Sequence, residues 1–175
     1  MSTPRRLFIE DYAHARAGRW YNLDHYDDIE ALETAIKAAN GPEAEEFQIC
    51  DSEGFPRNTL GTYTGHCEAW AWHEAIESTG DADAFFAFLQ AFGVHYFKDA
   101  AQALEKYEAI GYDVADSEAE FAEQHAINAG LIPDNLPGDD VRTYIDWQRY
   151  WDAKLQFEYN AESYGGTVYF FPSNA

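Results

Sequence analysis

Apolar and polar positions alternate or recur in ways that divide the chain into short elements. Arg6 to Asp11 carries a brief apolar run, and Gly18 to Leu23 sets Trp20 and Tyr21 among polar neighbours, so both read as strands joined by an Ala-rich connection. Asp27-Asp28-Ile29-Glu30 has the pattern of a capping box, with Asp27 as the cap. Ile29, Leu32 and Ile36 follow at spacings of three and four, which predicts a helix with Glu30, Glu33 and Lys37 outside, ended by Asn40-Gly41-Pro42. Phe47 to Cys50 is a third strand, closed by a turn at Asp51-Ser52-Glu53-Gly54.

The middle of the chain changes period. Ala69, Trp72 and Ile76, then Phe85, Phe88, Leu89 and Phe92 after a break at Ser78-Thr79-Gly80, recur at helical spacing and predict a helical stretch to about residue 104. Tyr107 to Val114 reads as a strand, and Ser117-Glu118-Ala119-Glu120 as a capping box opening a helix to about Gly130. Leu131 to Asp140 is a loop, Val141 to Leu155 a helix, and Phe157 to Tyr159 pairs with Thr167 to Phe171 across Gly165-Gly166. The expected fold is α+β, with three small domains: residues 1–63 (three-stranded sheet plus helix), 64–104 (helical middle) and 105–175 (small sheet plus helices). Units of this size bury little surface alone and must lean on one another or on a second chain.

Composition adds a core and a strong charge. Of the 175 residues 46% are hydrophobic and 17% aromatic, enough to fold. Against them stand 32 Asp and Glu and only 11 Lys and Arg, a net charge of −21. Such an excess repels nucleic acid and anionic membranes and favours a basic partner. Residues 1–23 escape it, with four Arg against Glu10 and Asp11. The apolar run after Arg5-Arg6 stops at Glu10-Asp11, so no export signal is expected, and no stretch approaches a membrane span. Cys50 and Cys67 lack the spacing of redox or zinc pairs and read as buried thiols of a reducing cytoplasm.

Enzyme signatures are sparse. His73-Glu74-Ala75-Ile76-Glu77 stops one residue short of the zinc helix H-E-x-x-H, and no third ligand is evident. Phosphate loops, dinucleotide fingerprints and nucleophile elbows are missing from the sequence. With 32 carboxylates, close pairs arise by chance and do not single out an acid/base enzyme. The expectation is a protein without catalysis, metal or cofactor.

The acids cluster. Residues 24–53 hold ten against Lys37, and residues 99–140 hold eleven against Lys106. A solvated face or salt adaptation is the ordinary explanation of such runs, but neither accounts for self-repulsion of this size in small domains. B-DNA carries one charge per ~1.7 Å, so two copies of this chain would match the charge of ~70 Å of duplex. A folded surface of that charge can compete for a DNA-binding cleft with no base edges to read.

Arg6-Leu7-Phe8-Ile9, Gly18-Arg19-Trp20, the block Glu45-Glu46-Phe47-Gln48-Ile49-Cys50-Asp51-Ser52-Glu53-Gly54-Phe55, Tyr144-Ile145-Asp146 and the ending Gly166 to Phe171 together resemble the ArdA antirestriction proteins. The resemblance implies an elongated, curved, three-domain homodimer that mimics bent B-form DNA. It further implies binding to the methyltransferase and specificity core of type I restriction-modification enzymes, on behalf of a mobile genetic element. A mimic aimed at another basic protein, such as a nucleoid protein, a nuclease or a repressor, is the alternative.

The acids expected to carry the mimicry are Glu30, Glu33, Glu46, Glu74, Glu77, Asp81, Asp83, Glu108, Asp113, Asp116, Glu120, Glu123, Asp134, Asp139, Asp140, Asp146 and Asp152. The stretch from Gly130 through Asp152 resembles the family's antirestriction region, which makes Leu131, Ile132, Leu136 and Tyr144 candidates for a dimer interface, with a core role as the other reading.

Overall fold

In a computed structural model the described residues are 3–11, 18–40, 47–61, 63–132 and 140–174. The fold is α+β and contains two three-stranded antiparallel sheets. The chain divides into two compact units, one of residues 1–80 and 94–104, the other of residues 81–93 and 105–175.

In the first unit β1 (Arg6–Asp11) lies between β2 (Arg19–Asn22) and β3 (Phe47–Glu53). Alternation on β1 sends Leu7 and Ile9 into the core, where α1 (Ile29–Asn40) adds Leu32 and Ile36. The cap of α1 is Asp28, whose Oδ1 accepts from the Ala31 amide at 2.7 Å, so the capping box expected at Asp27 is displaced by one residue and Glu30 does not close it. β3 is longer than expected. Asp51, Ser52 and Glu53, read from sequence as a turn, pair with β1, and the chain turns at Gly54 with φ +78°.

The register of β1 against β3 shifts by one residue, Phe8 facing Asp51 and Ile9 facing Ile49, which leaves Cys50 as the extra residue of a bulge. The Cys50 thiol is exposed, and so is Cys67, correcting the expectation of buried thiols. α2 (His66–Ser78) buries Ala69, Trp72 and Ile76 as its spacing predicts, along with Trp70, His73 and Ala75.

In the second unit α3 (Ala82–Phe92) buries Phe85, Phe88 and Leu89. The Phe88 ring meets Phe171 edge-on at 5.7 Å, and Phe86 meets Tyr164 at 5.3 Å. α4 (Ala100–Ile110), whose first five residues belong to the first unit, runs six residues past the expected helical limit of 104 and absorbs the first half of the strand expected from Tyr107. Only Asp113–Ala115 is extended, as β4. Ala103 and Tyr107, four apart, are both buried, and that helical spacing outweighs the local β-propensity.

Ser117 caps α5 (Glu118–Asn128), accepting from the Glu120 amide, while the Glu120 carboxylate accepts from the Asp116 amide at 2.8 Å. The helix expected over Val141 to Leu155 is broken: α6 (Asp140–Thr143) stops, and α7 (Trp147–Ala153) starts afresh with Asp146 as its cap. The break fits the side-chain chemistry of Asp146, which satisfies the Arg149 amide only from outside the helix.

β5 (Tyr159–Tyr164) and β6 (Thr167–Pro172) form the expected hairpin, with Gly165 and Gly166 both at positive φ. Phe157 lies before the hairpin in a single 3-10 turn and is exposed. The core of this unit joins Phe121, Ala122, Trp151, Leu155 and Phe170, with Phe121 and Phe170 stacked at 4.1 Å. Among the described residues no helix is long and apolar enough to cross a membrane.

Candidate functional site: an acidic surface

Both units carry the charge. By sequence the first holds 16 acids against 7 Lys and Arg, net −9, and the second 16 against 4, net −12. No carboxylate among the described side chains is buried; the buried polar or charged residues are Arg5, Thr59 and His73. Exposed acids stay hydrated and ionised at little cost, which is the condition for a durable negative surface.

In the first unit the outward faces of the helices are acidic because the inward faces are apolar. Glu30 stands on the exposed side of α1, and Glu74 and Glu77 on that of α2, opposite the stripe of Ala69, Trp72 and Ile76. Glu68 shares the exposed face of α2, and in the second unit Glu105 is exposed beside Glu108 on α4. The sequence reading passed over both, although the complement of the buried stripe already marks them.

Glu33, expected on the outside, is only half-exposed. Its Oε1 lies 3.0 Å from His66 Nε2, and this hydrogen bond holds its carboxyl below the usual range. Acids also offset the basic N-terminal segment. Arg5 is buried and pairs with Glu77 and, at 3.6 Å, with Asp24, while Arg6 pairs with Glu53 across the β1–β3 ladder.

In the second unit several predicted acids also hold the backbone. Asp81 caps α3 through Oδ1, 3.0 Å from the Ala84 amide, and accepts the Tyr112 hydroxyl through Oδ2 at 2.8 Å. Burial and this acidic neighbour push the Tyr112 hydroxyl far above its ordinary pKa. Asp146 and Glu120 bind amides at the starts of α7 and α5. Gln148 donates to Glu118 Oε2 at 2.8 Å and to Asp152 Oδ1 at 3.0 Å, so one side-chain amide bridges carboxylates of α5 and α7.

Glu118 was not singled out from the sequence, because only the packing of α5 on α7 places it beside Asp152. Asp83, Glu108, Asp113 and Asp116 are exposed, and Glu123 is half-exposed. Glu46, Asp134, Asp139 and Leu136 lie outside the described residues, and of Asp140 only its place at the start of α6 is described. Leu131 and Tyr144 are exposed, 60% and 86%, so neither is core within this chain; Ile132 is half-exposed.

The near-match to a zinc helix serves a different purpose. Arg5 Nε donates to His73 Nδ1 at 2.8 Å, and the same guanidinium pairs with Glu77. An internal cation therefore occupies the position a metal would take between His73, Glu77 and Asp24.

The comparisons agree with this picture at the level of family. No curated protein matches the chain. A family described as antirestriction protein (ArdA) matches residues 10–167, a span that includes every described helix and strands β2 to β5 and reaches the last residues of β1 and the first of β6. The chain belongs to the ArdA antirestriction protein family.

Proposed function

We propose that this antirestriction protein mimics the charge of B-form DNA and inhibits type I restriction-modification enzymes by occupying the DNA-binding cleft of their methyltransferase and specificity core. The carrying observation is the placement of acids: a net charge of −21, shared by both units, with no described carboxylate buried. Basic clefts that bind duplex through phosphates draw most of their affinity from charge, so a hydrated carboxylate surface competes for them without being read. The protein acts as a cytoplasmic homodimer of three-domain chains, without catalysis, cofactor or direct contact with nucleic acid or membrane. Exposed Leu131 and Tyr144, with Ile132 and Leu136, are the proposed dimer contacts.

The test is a titration of the purified protein into a type I methyltransferase core holding labelled DNA, at several salt concentrations. Displacement near one dimer per enzyme, weakening steeply with salt, is expected. A folded dimer that leaves the DNA in place would redirect the search to nucleoid proteins, nucleases and repressors.

A further inference from the structure

Three donor side chains of the first unit converge at a point that the acidic surface does not explain. Glu33 Oε1, on α1, lies 3.0 Å from His66 Nε2 and 3.9 Å from Cys67 Sγ, the two residues that open α2. One donor atom from each residue falls within 4.8 Å of the other two. The Phe47 ring stands edge-on to the His66 imidazole, centroids 6.0 Å apart at 80°.

We propose that Glu33, His66 and Cys67 form a site for a borderline-soft divalent cation of the zinc type, which would tie α1 to the first turn of α2.

Distances carry the argument. Zinc holds nitrogen at ~2.0 Å, carboxylate oxygen at ~2.1 Å and sulfur at ~2.3 Å, so tetrahedral ligands stand ~3.3 Å apart for N and O and ~3.6 Å for O and S. The observed 3.0 and 3.9 Å are within a few tenths of an ångström of those two separations without any ion, and the His66 and Cys67 donor atoms lie within 4.8 Å of each other. Both contacts converge on one carboxylate oxygen, and a cation at that point replaces the protons that now bridge it. The Cys67 thiol then gives up its proton to solvent, and the imidazole carries its remaining proton on Nδ1.

A thiolate and an imidazole with a single carboxylate select zinc over magnesium or calcium, which require more oxygen ligands. Lys37 Nζ lies 3.7 Å from the other carboxylate oxygen, Oε2, and leaves Oε1 to the ion. Three protein ligands leave a fourth position for water. The second cluster of this kind, Asp24, His73 and Glu77, is instead neutralised by Arg5.

Co2+ is the probe, titrated into the full chain carrying Cys50→Ser so that Cys67 is the single thiol. The expected result is saturation at one Co2+ per chain, with a near-ultraviolet thiolate-to-cobalt band and intense visible bands of tetrahedral geometry, all displaced by Zn2+. Zn2+ should also slow alkylation of Cys67 by about tenfold or more. His66→Gln and Glu33→Gln, with unchanged far-ultraviolet circular dichroism, should each weaken Co2+ binding by about tenfold or more. A titration without the thiolate band overturns the site, and that arm needs neither ligand variant to fold. Binding that His66→Gln leaves unchanged overturns it equally, as capture by a bare thiol. The readout is metal alone, so failure here and failure of the antirestriction mechanism are distinct.

Discussion

Arg5 Nε donates to Nδ1 of His73 at 2.8 Å, joining the residue before β1 to a buried face of α2. Accepting this bond requires a bare Nδ1, so the ring is neutral with its proton on Nε2. Burial first, and the Arg5 charge second, lower the His73 pKa from its usual value near 6.5. The unfolded chain therefore takes up a proton that the folded one refuses as pH falls below about 6.5. Stability linked to His73 is whole above that pH and is lost as pH drops toward the depressed folded value. The stability difference between the unsubstituted protein and His73→Gln, from urea denaturation, should shrink between pH 7.5 and 5. A constant difference would contradict this account.

Charge spread over many exposed carboxylates predicts graded inhibition. Glu74→Gln or Glu108→Gln alone should change DNA displacement from a type I enzyme by about twofold or less, because a single exposed charge is screened. Neutralising Glu68, Glu74, Glu105 and Glu108 together should weaken it by about tenfold or more and flatten its salt dependence. One such single change abolishing inhibition in a folded protein would sink the shared-charge reading.

The β5–β6 turn gives a backbone test. Gly165 and Gly166 sit at φ +60° and +90°, the conformation a two-residue hairpin loop demands. A Cβ on Gly165 would also stand 2.9 Å from Asp83 Oδ2. Gly165→Ala should cost about 1–2 kcal/mol from the left-handed conformation. Thermal unfolding of the double variant Gly165→Ala, Asp83→Ala should recover only the part due to contact.

Phe170 is fully buried and stacks on Phe121 at 4.1 Å with rings 3° from parallel, and meets Trp151 edge-on at 5.5 Å. Phe170→Ala should destabilise the protein by about 3–5 kcal/mol through the cavity left behind. Phe170→Leu, which refills most of the volume, should lose clearly less. Equal losses in urea denaturation would show that the site does not collapse as a packed core should.

Where an element is fixed by residues near one another in sequence, the pattern of the chain was sufficient to place it. The stripe of Leu32 and Ile36, the Ser117 cap and the paired glycines of the hairpin each specify their own backbone, and the structure contains all three. Readings failed where a distant partner decided. Asp51 to Glu53 have turn-forming side chains, yet the ladder to β1 draws them into a strand. Tyr107 has β-propensity, yet its burial, four residues after Ala103, keeps it in α4.

The negative charge, and the exposure of the carboxylates that carry it among the described residues, followed from the sequence, because carboxylates in such excess cannot be paired internally and ionised groups are costly to bury. The family, too, was legible in short ordered blocks. Tertiary structure alone decided which acids are committed elsewhere: Glu77 to Arg5, Asp81 to Tyr112, and Glu33 to His66 and Cys67. These partners lie some 30 to 70 residues apart in the chain. Hydrophobic period and turn chemistry are local properties that a sequence displays, whereas such pairings depend on how buried faces pack, which no local pattern encodes.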